Sequence, residues 1–191
     1  MKLSSLFSHT LILITILTLS ACANLPSHLI IAPDIMITPA VYHNNKQAQF
    51  DVVDMRTSNH VVQILREGEA ATLLSAQERL EGIIKSNLSK HWKKQGLVIQ
   101  DNAINIISIA IEKAVISVSQ DTLEYEVQTE IVLKVTINNG ATTLTNTFSN
   151  RGNSDGPLQA DIAVLERNFN QRLVKLLQNI LANEKISNFL K

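Results

Sequence analysis

The chain has 191 residues, of which 45% are hydrophobic, and it carries 17 basic against 17 acidic side chains. This length suits one domain with a short targeting segment, and the hydrophobic fraction is too high for a disordered chain. A nucleic-acid partner is not expected, because the charge is balanced and only 4% of the residues are aromatic.

The N-terminus has the layout of an exported precursor. Lys2 is followed by an apolar run over residues 11–19, which is too short for a membrane span, since a spanning helix needs about 20 apolar residues. The run leads into the sequence LSAC at residues 19–22, which holds the one cysteine of the chain. A single cysteine forms no intramolecular disulfide, so in an exported protein it calls for another role.

This ending resembles the lipobox of bacterial lipoproteins. In that family the thiol receives a diacylglycerol, a peptidase cuts directly before the cysteine, and the new amine is commonly acylated too, for example with palmitate. The resemblance implies a signal peptide at residues 1–21 and lipid attachment at Cys22, and Ala23 favours sorting to the periplasmic face of the outer membrane. Two or three acyl chains anchor durably, since each buried methylene contributes about 0.8 kcal/mol. The alternative is an ordinary signal peptide with a chance cysteine.

Residues 22–47 are expected to form the lipidated N-terminus and a tether. This segment holds three of the four prolines, which favour extended backbone. It also holds two apolar pieces at residues 29–31 and 35–37. Whether these pieces dock on the domain is left open by the sequence.

From residue 48 the patterns predict short strands and then a helix. Strands are expected near residues 50–57, 61–65 and 70–74, with Gly68 in a turn between the last two. Ser75-Ala76-Gln77-Glu78 matches a capping box. The helix that follows should bury one stripe and end at Gly96, the stripe being Leu80, Ile83, Ile84, Leu88 and Trp92.

The middle of the chain predicts a three-stranded meander. Residues 103–119 read as a long strand whose inward face changes parity between Ile111 and Ala114, which indicates a bulge. Residues 123–137 alternate between apolar and charged, as an antiparallel strand wet on one face does, and the NNG sequence at residues 138–140 favours a hairpin. A third strand is expected over residues 142–149, followed by a polar loop over residues 151–157.

The C-terminal part predicts a long amphipathic helix. Its apolar stripe recurs at steps of three and four residues, and the members are Leu158, Ile162, Leu165, Phe169, Leu173, Leu176 and Ile180. Asn183 should break this helix before a short final one. The order of elements predicts a single α+β domain over residues 48–191. Its antiparallel sheet, made of the C-terminal meander and N-terminal strands, is expected to be covered on one face by two amphipathic helices.

The sequence holds little that predicts catalysis. Five histidines occur without a metal-binding spacing, and Cys22 is expected to be acylated, so no metal site is predicted. No nucleophile elbow, phosphate-binding loop or HExxH motif occurs. We therefore predict a protein that is not an enzyme and has no cofactor. A cell-wall hydrolase is the third and weakest functional alternative.

Three polar or aromatic features have a functional and a structural interpretation. Asp54-Met55-Arg56 can be a ligand-facing pair, or it can cap a turn or form a modest surface ion pair. Glu124, Glu126 and Glu130 share one strand face, either as an acidic docking surface or as a solvated face that limits aggregation. Trp92 lies on the apolar stripe of its helix, which favours the core over a sugar platform.

The lipobox, the proline-rich segment and the order of these elements together resemble the YajG family of gamma-proteobacterial lipoproteins. The likeness runs from about residue 45 to Lys191. Its matching pieces are Asp54, Arg56 and Thr57, the helix ending near Gly96, the hairpin at Asn139-Gly140, and the closing sequence SNFLK at residues 187–191. The resemblance implies lipid attachment at Cys22 and brings no established activity.

Two functions remain for the mature domain, besides contact with the membrane through its lipid. The first is a non-enzymatic accessory domain that binds an envelope protein. The second is a module that binds an apolar ligand or a glycan fragment in a groove between sheet and helices, by analogy with small α+β lipoproteins that assist lipid transport. A filled core favours the first, and a continuous apolar pocket favours the second.

Overall fold

The computed structural model describes residues 28–190. The expected signal peptide, Cys22 and Ala23 lie in residues 1–27, which together with Lys191 are outside the described residues. The strands are β1 His28–Leu29, β2 Gln47–Asp54, β3 His60–Arg66, β4 Thr72–Ala76, β5 Val98–Ile99, β6 Asn105–Gln120, β7 Glu124–Asn138 and β8 Thr143–Pro157. The helices are α1 Leu80–Lys94, α2 Ile162–Leu181 and α3 Glu184–Phe189.

The eight strands form one mixed sheet, so the α+β class is confirmed and the antiparallel sheet is wrong. β6, β7 and β8 make the predicted antiparallel meander. β2 and β3, however, both pair parallel to β6 along its other edge, β2 with its first half and β3 with its second half. The short strands β1 and β5 pair parallel to β4 and β2. Parallel neighbours need crossover connections, and here the segment from β3 through α1 connects β2 to β6.

The predicted bulge in β6 is present. The register against β7 shifts between Ile111 and Lys113. Before the shift the buried residues are odd-numbered, namely Ile107, Ile109 and Ile111. After the shift the buried residues are even-numbered, beginning with Ala114. One inserted residue therefore keeps the whole strand amphipathic with its apolar side towards the helices.

Helices α1 and α2 cover one face of the sheet with the predicted apolar stripes. Phe169 and Leu173 of α2 are fully buried, and Trp92 of α1 packs edge-on against Phe50 of β2, with ring centroids 4.8 Å apart. Gly96 follows α1 at a φ of +80°, as predicted for a residue that ends a helix. Asn183 separates α2 from α3, and its side chain caps α3.

Both predicted helix starts are wrong. Ser75 and Ala76 belong to β4, where they pair with β1, so the chain stays extended to that point and α1 begins only at Leu80. Its N-cap is Arg79, whose side chain makes no capping bond. At the other helix, Leu158 is exposed at a φ of +64°, and α2 begins at Ile162 after the Asp161 cap.

Residues 28–46, called the N-terminal strap from here on, pack on the domain. Leu29, Ile31 and Ile35 are buried at alternate positions and belong to the hydrophobic core. The apolar pieces of this segment therefore dock on the domain, which the sequence had left open. The core of the domain thus reaches back beyond residue 48, to Leu29.

Side chains of both long helices hold the backbone of the strap. Glu166 of α2 accepts a hydrogen bond from the Ile30 amide at 2.8 Å, and Asn170 bonds the amide of Ala32 at 2.9 Å and the carbonyl of Ile30 at 3.1 Å. At the end of α1, Gln95 donates to the Pro39 carbonyl at 2.8 Å. The strap thus runs along α2 and then over the last turn of α1. No helix within residues 28–190 is long and apolar enough to cross a membrane.

Candidate functional site

The Asp54–Arg56 pair lies at the end of β2 and is nearly buried. The Arg56 Nη2 is 2.7 Å from the Asp54 Oδ2, and the Nε donates to Oδ1 at 2.9 Å. The side chains are 8% exposed for Arg56 and 11% exposed for Asp54. Burial by itself would raise the pKa of Asp54, but the hydrogen bonds from Arg56 outweigh it and hold that pKa below its usual value.

The remaining Arg56 donors bind backbone carbonyls. The Nη1 donates to the carbonyls of His60 and Ala114, each at 3.1 Å. β2 leaves β6 at the bulge, and β3 joins β6 only at Ile116, so the Ala114 carbonyl faces the gap between the two strands. Arg56 fills this gap, because its planar guanidinium can donate in several directions at once. The structural interpretation of this pair is therefore supported, although the pair is far more buried than a surface ion pair.

The same pair lines an open recess of about 330 Å³. Its opposite wall is the segment from Ser75 to Glu81, which includes the first turn of α1. This wall carries charges of both signs, and Arg79 and Glu81 form an ion pair at the N-terminus of α1. Such a recess can take a small polar group, but no buried polar side chain points into it unpaired within the described residues.

The predicted acidic surface is neutralised at Glu130. Glu130 on the outer face of β7 accepts from Lys113 of β6 at 2.9 Å and from Arg151 of β8 at 2.7 Å. These hydrogen bonds hold the pKa of Glu130 below its usual value. Glu124 and Glu126 stay exposed on the same face. This arrangement fits a solvated face with cross-strand ion pairs better than a purely acidic docking surface.

β8 forms one edge of the sheet, and its second side pairs with no further strand within residues 28–190. All fifteen residues of β8 pair with β7 without a register shift, from Thr143 opposite Asn138 to Pro157 opposite Glu124. At about 3.3 Å per residue, this edge is about 50 Å long. We call it the β8 open edge.

The predicted polar loop over residues 151–157 is wrong, since these residues are the second half of β8. Its two glycines lie against the far ends of long side chains on the inner face. A Cβ at position 152 would overlap the guanidinium of Arg172, which donates to the Asn150 side chain and to the Arg151 carbonyl, each at 3.1 Å. The register of the predicted hairpin could have predicted this half of β8. Extending that register past residue 149 places residues 150–157 opposite residues 124–131.

The histidines are dispersed. His91 is buried on α1 and bonds the Thr38 hydroxyl at 2.7 Å, and His60 bonds Ser58 at 2.6 Å. His43 is 1% exposed and lies beside the Gln95 side chain, but neither of its ring nitrogens makes a hydrogen bond of good geometry among residues 28–190. In that part of the chain, no three His, Cys, Asp or Glu side chains form a group that could hold a metal ion.

The chain is similar in sequence to one protein family. The model of a family described as "Uncharacterized lipoprotein" matches residues 33–191. The chain belongs to this lipoprotein family. The finding agrees with the predicted resemblance to the YajG family. A search of curated proteins returned no match.

A solved structure of a DUF330 protein shares the fold of this lipoprotein. A protein of the DUF330 family from Xanthomonas campestris superposes with a TM-score of 0.58 at 13% identity, covering 84% of this chain and 96% of that one. A structure from Helicobacter pylori, described as a homologue of a neuraminyllactose-binding hemagglutinin, reaches a TM-score of 0.48 at 10% identity, covering 81% and 90%. At these identities the first likeness concerns the fold alone, and the second carries no argument.

Proposed function

We propose that this lipoprotein is a binding protein of the cell envelope rather than an enzyme. Lipid on Cys22 would hold it at the periplasmic face of the outer membrane, and an extended strand of another envelope protein would pair with the β8 open edge. The observation that carries the proposal is that fifteen-residue edge, whose second row of backbone groups has no partner strand within residues 28–190. Adding a strand to such an edge is a common mode of peptide recognition.

The composition of β8 supports an edge that accepts a partner. Natural edge strands are usually short, or they are protected by lysine, by proline within the strand, or by a bulge. β8 has no lysine and carries charges at Arg151 and Asp155 alone, both in its second half. Its one proline is its last residue, and its ladder to β7 is regular. Its residues 143, 145 and 147 are exposed threonines, which favour cross-strand pairs with β-branched or hydroxyl side chains. The expected partner segment is therefore extended, neutral and rich in such residues.

The alternative, an apolar ligand between sheet and helices, finds no support in the core. Side chains fill that space, and Phe169, Leu173 and Leu177 of α2 are almost completely buried there. The recess at Asp54 and Arg56 is lined by charged and polar groups. A glycan fragment could contact such a recess, but no observation favours it over the edge.

Photo-crosslinking in living cells tests the edge. A benzoylphenylalanine placed at Thr147 should capture one envelope protein, and the crosslinked peptide should map to an extended segment. The same probe at Ser86, exposed on α1, serves as the matched control. Capture at both positions alike, or a crosslink to a second copy of this chain at Thr147, would contradict the proposed partner.

Hydrogen exchange on the purified pair decides whether the contact is strand pairing. Adding the captured protein should slow exchange of amides within residues 143–157, because backbone groups at the edge then gain partners. Unchanged exchange there in a stable complex would refute strand addition.

The anchor has its own test. Cys22→Ser should leave the protein exported but uncut, or released in soluble form. A variant that still fractionates with membranes and migrates as the mature form would disprove lipid attachment at this residue.

A further inference from the structure

The outward side of the N-terminal strap is apolar. Ile30, Met36, Ile37 and Tyr42 are exposed by 58%, 87%, 75% and 69% of their surface. Their neighbours Leu29, Ile31 and Ile35 point inward and hold the strap on the helices. Four large apolar or aromatic side chains within thirteen residues form an exposed ridge, and such a ridge in a soluble domain marks a contact surface.

Basic side chains flank this ridge. The Thr38 hydroxyl bonds His91 at 2.7 Å, so the strap lies over the last turn of α1. That turn carries Lys90, Lys93 and Lys94, all exposed, and the carboxylate of Asp34 is the one acidic group that acts on His91 from the strap. Apolar side chains, a tyrosine and several lysines together are what the interface of an anionic bilayer attracts.

The covalent chain keeps this face near the membrane. Six residue steps separate Cys22 from His28, and at about 3.3–3.6 Å each they reach at most about 22 Å. A lipid on Cys22 therefore places the beginning of the strap within that distance of the bilayer surface. The ridge begins two residues further, at Ile30.

We propose that the strap is a membrane-contact surface, with Ile30, Met36, Ile37 and Tyr42 resting on the lipid interface and the lysines of α1 meeting anionic headgroups. The proposal rests on the anchor at Cys22 from the proposed function. It adds an orientation, because the outer face of the sheet then points away from the bilayer. It also gives the docked strap a second role, since its two sides bind the helices and the membrane.

The test uses the mature lipidated protein in vesicles of phosphatidylethanolamine and phosphatidylglycerol. An environment-sensitive dye is attached to Ile37→Cys, and in a second protein to Gln128→Cys, which is exposed on the sheet face away from the helices. In each variant the new cysteine is the one free thiol, because Cys22 is acylated. The dye at position 37 should shift to the blue and be quenched several-fold more by nitroxide lipids than the dye at 128.

A charge variant, flotation with the vesicles and the addition of envelope proteins separate the possible results. Changing Lys90, Lys93 and Lys94 to glutamine should weaken the quenching at position 37 and remove its dependence on phosphatidylglycerol content. Equal quenching at positions 37 and 128 in protein that floats with the vesicles would overturn the membrane-contact surface but not the anchor. Protein that does not float would instead overturn the anchor. A dye at 37 that is shielded only after envelope proteins are added would show that the ridge binds a protein, and would also overturn the proposal.

Discussion

Replacing Arg56 by methionine should strongly destabilise the domain. The variant keeps an apolar stem of similar length but leaves the Asp54 carboxylate nearly buried without its partner, and it removes the donor to the carbonyls of His60 and Ala114. Breaking a buried ion pair by removing one partner typically costs about 3–5 kcal/mol. For a domain of this size that loss lowers the melting temperature by about 6–20 °C.

The matched control is an ion pair whose acidic residue lies on the same strand as Asp54. Asp51 and Lys85 also form an ion pair at 3.0 Å, but both side chains are at least half exposed. Lys85→Met should therefore cost no more than about 1 kcal/mol. Thermal unfolding of the two variants by circular dichroism compares a buried with an exposed pair in one protein. Equal and small shifts would refute the structural role of Arg56 and favour a ligand-facing pair.

The pH dependence provides a second check. In the native protein the pKa of Asp54 is lowered. The ionised carboxylate therefore contributes to the free energy of unfolding above its ordinary pKa of about 4, and this contribution is lost as the pH falls through the pKa of Asp54 in the folded protein. In Arg56→Met the same carboxyl keeps its burial but loses the hydrogen bonds from Arg56, so its pKa should rise. Protonation in acid should then relieve part of the loss of stability. The gap in stability between the two proteins should consequently narrow as the pH falls from 7 towards 4.

Three further outcomes are expected. Phe169→Ala should cost about 3–5 kcal/mol because the ring is fully buried in α2, and a shift of a degree or so in thermal unfolding would contradict the core assignment. A protein that starts at Gln47 lacks the docked strap and should aggregate or unfold in a broad transition; a sharp transition at the temperature of the full protein would contradict this. Burial lowers the pKa values of His43 and His91 in the folded protein. The free energy of unfolding should therefore be highest above about pH 6.5 and should decrease at lower pH, because the histidines of the unfolded chain then bind protons more readily. His43→Leu should flatten that decline in urea titrations between pH 6.5 and 5, and an unchanged slope would exclude His43 as its source.

Local patterns in the sequence were sufficient for several elements of this fold. The parity change between Ile111 and Ala114 predicted the bulge, because side chains alternate strictly along a strand and one extra residue reverses them. The stripe that includes Leu88 and Trp92 predicted α1, since apolar residues must share one face of a helix. The hairpin at Asn138–Gly140 and the break at Asn183 were equally local, because each depends on backbone preferences of one or two residues.

Contacts between distant residues decided the rest. Ser75 lies in a capping-box sequence, yet it pairs with His28 in a strand, 47 positions earlier in the chain. The polar sequence over residues 150–157 forms a strand because β7 offers fifteen residues to pair with. The strap docks because Glu166 and Asn170 supply partners for its backbone. Local propensity and periodicity describe residues that are close in sequence, so they do not identify these distant partners. Only the tertiary structure could therefore show the parallel pairing, the open edge and the outward ridge of the strap.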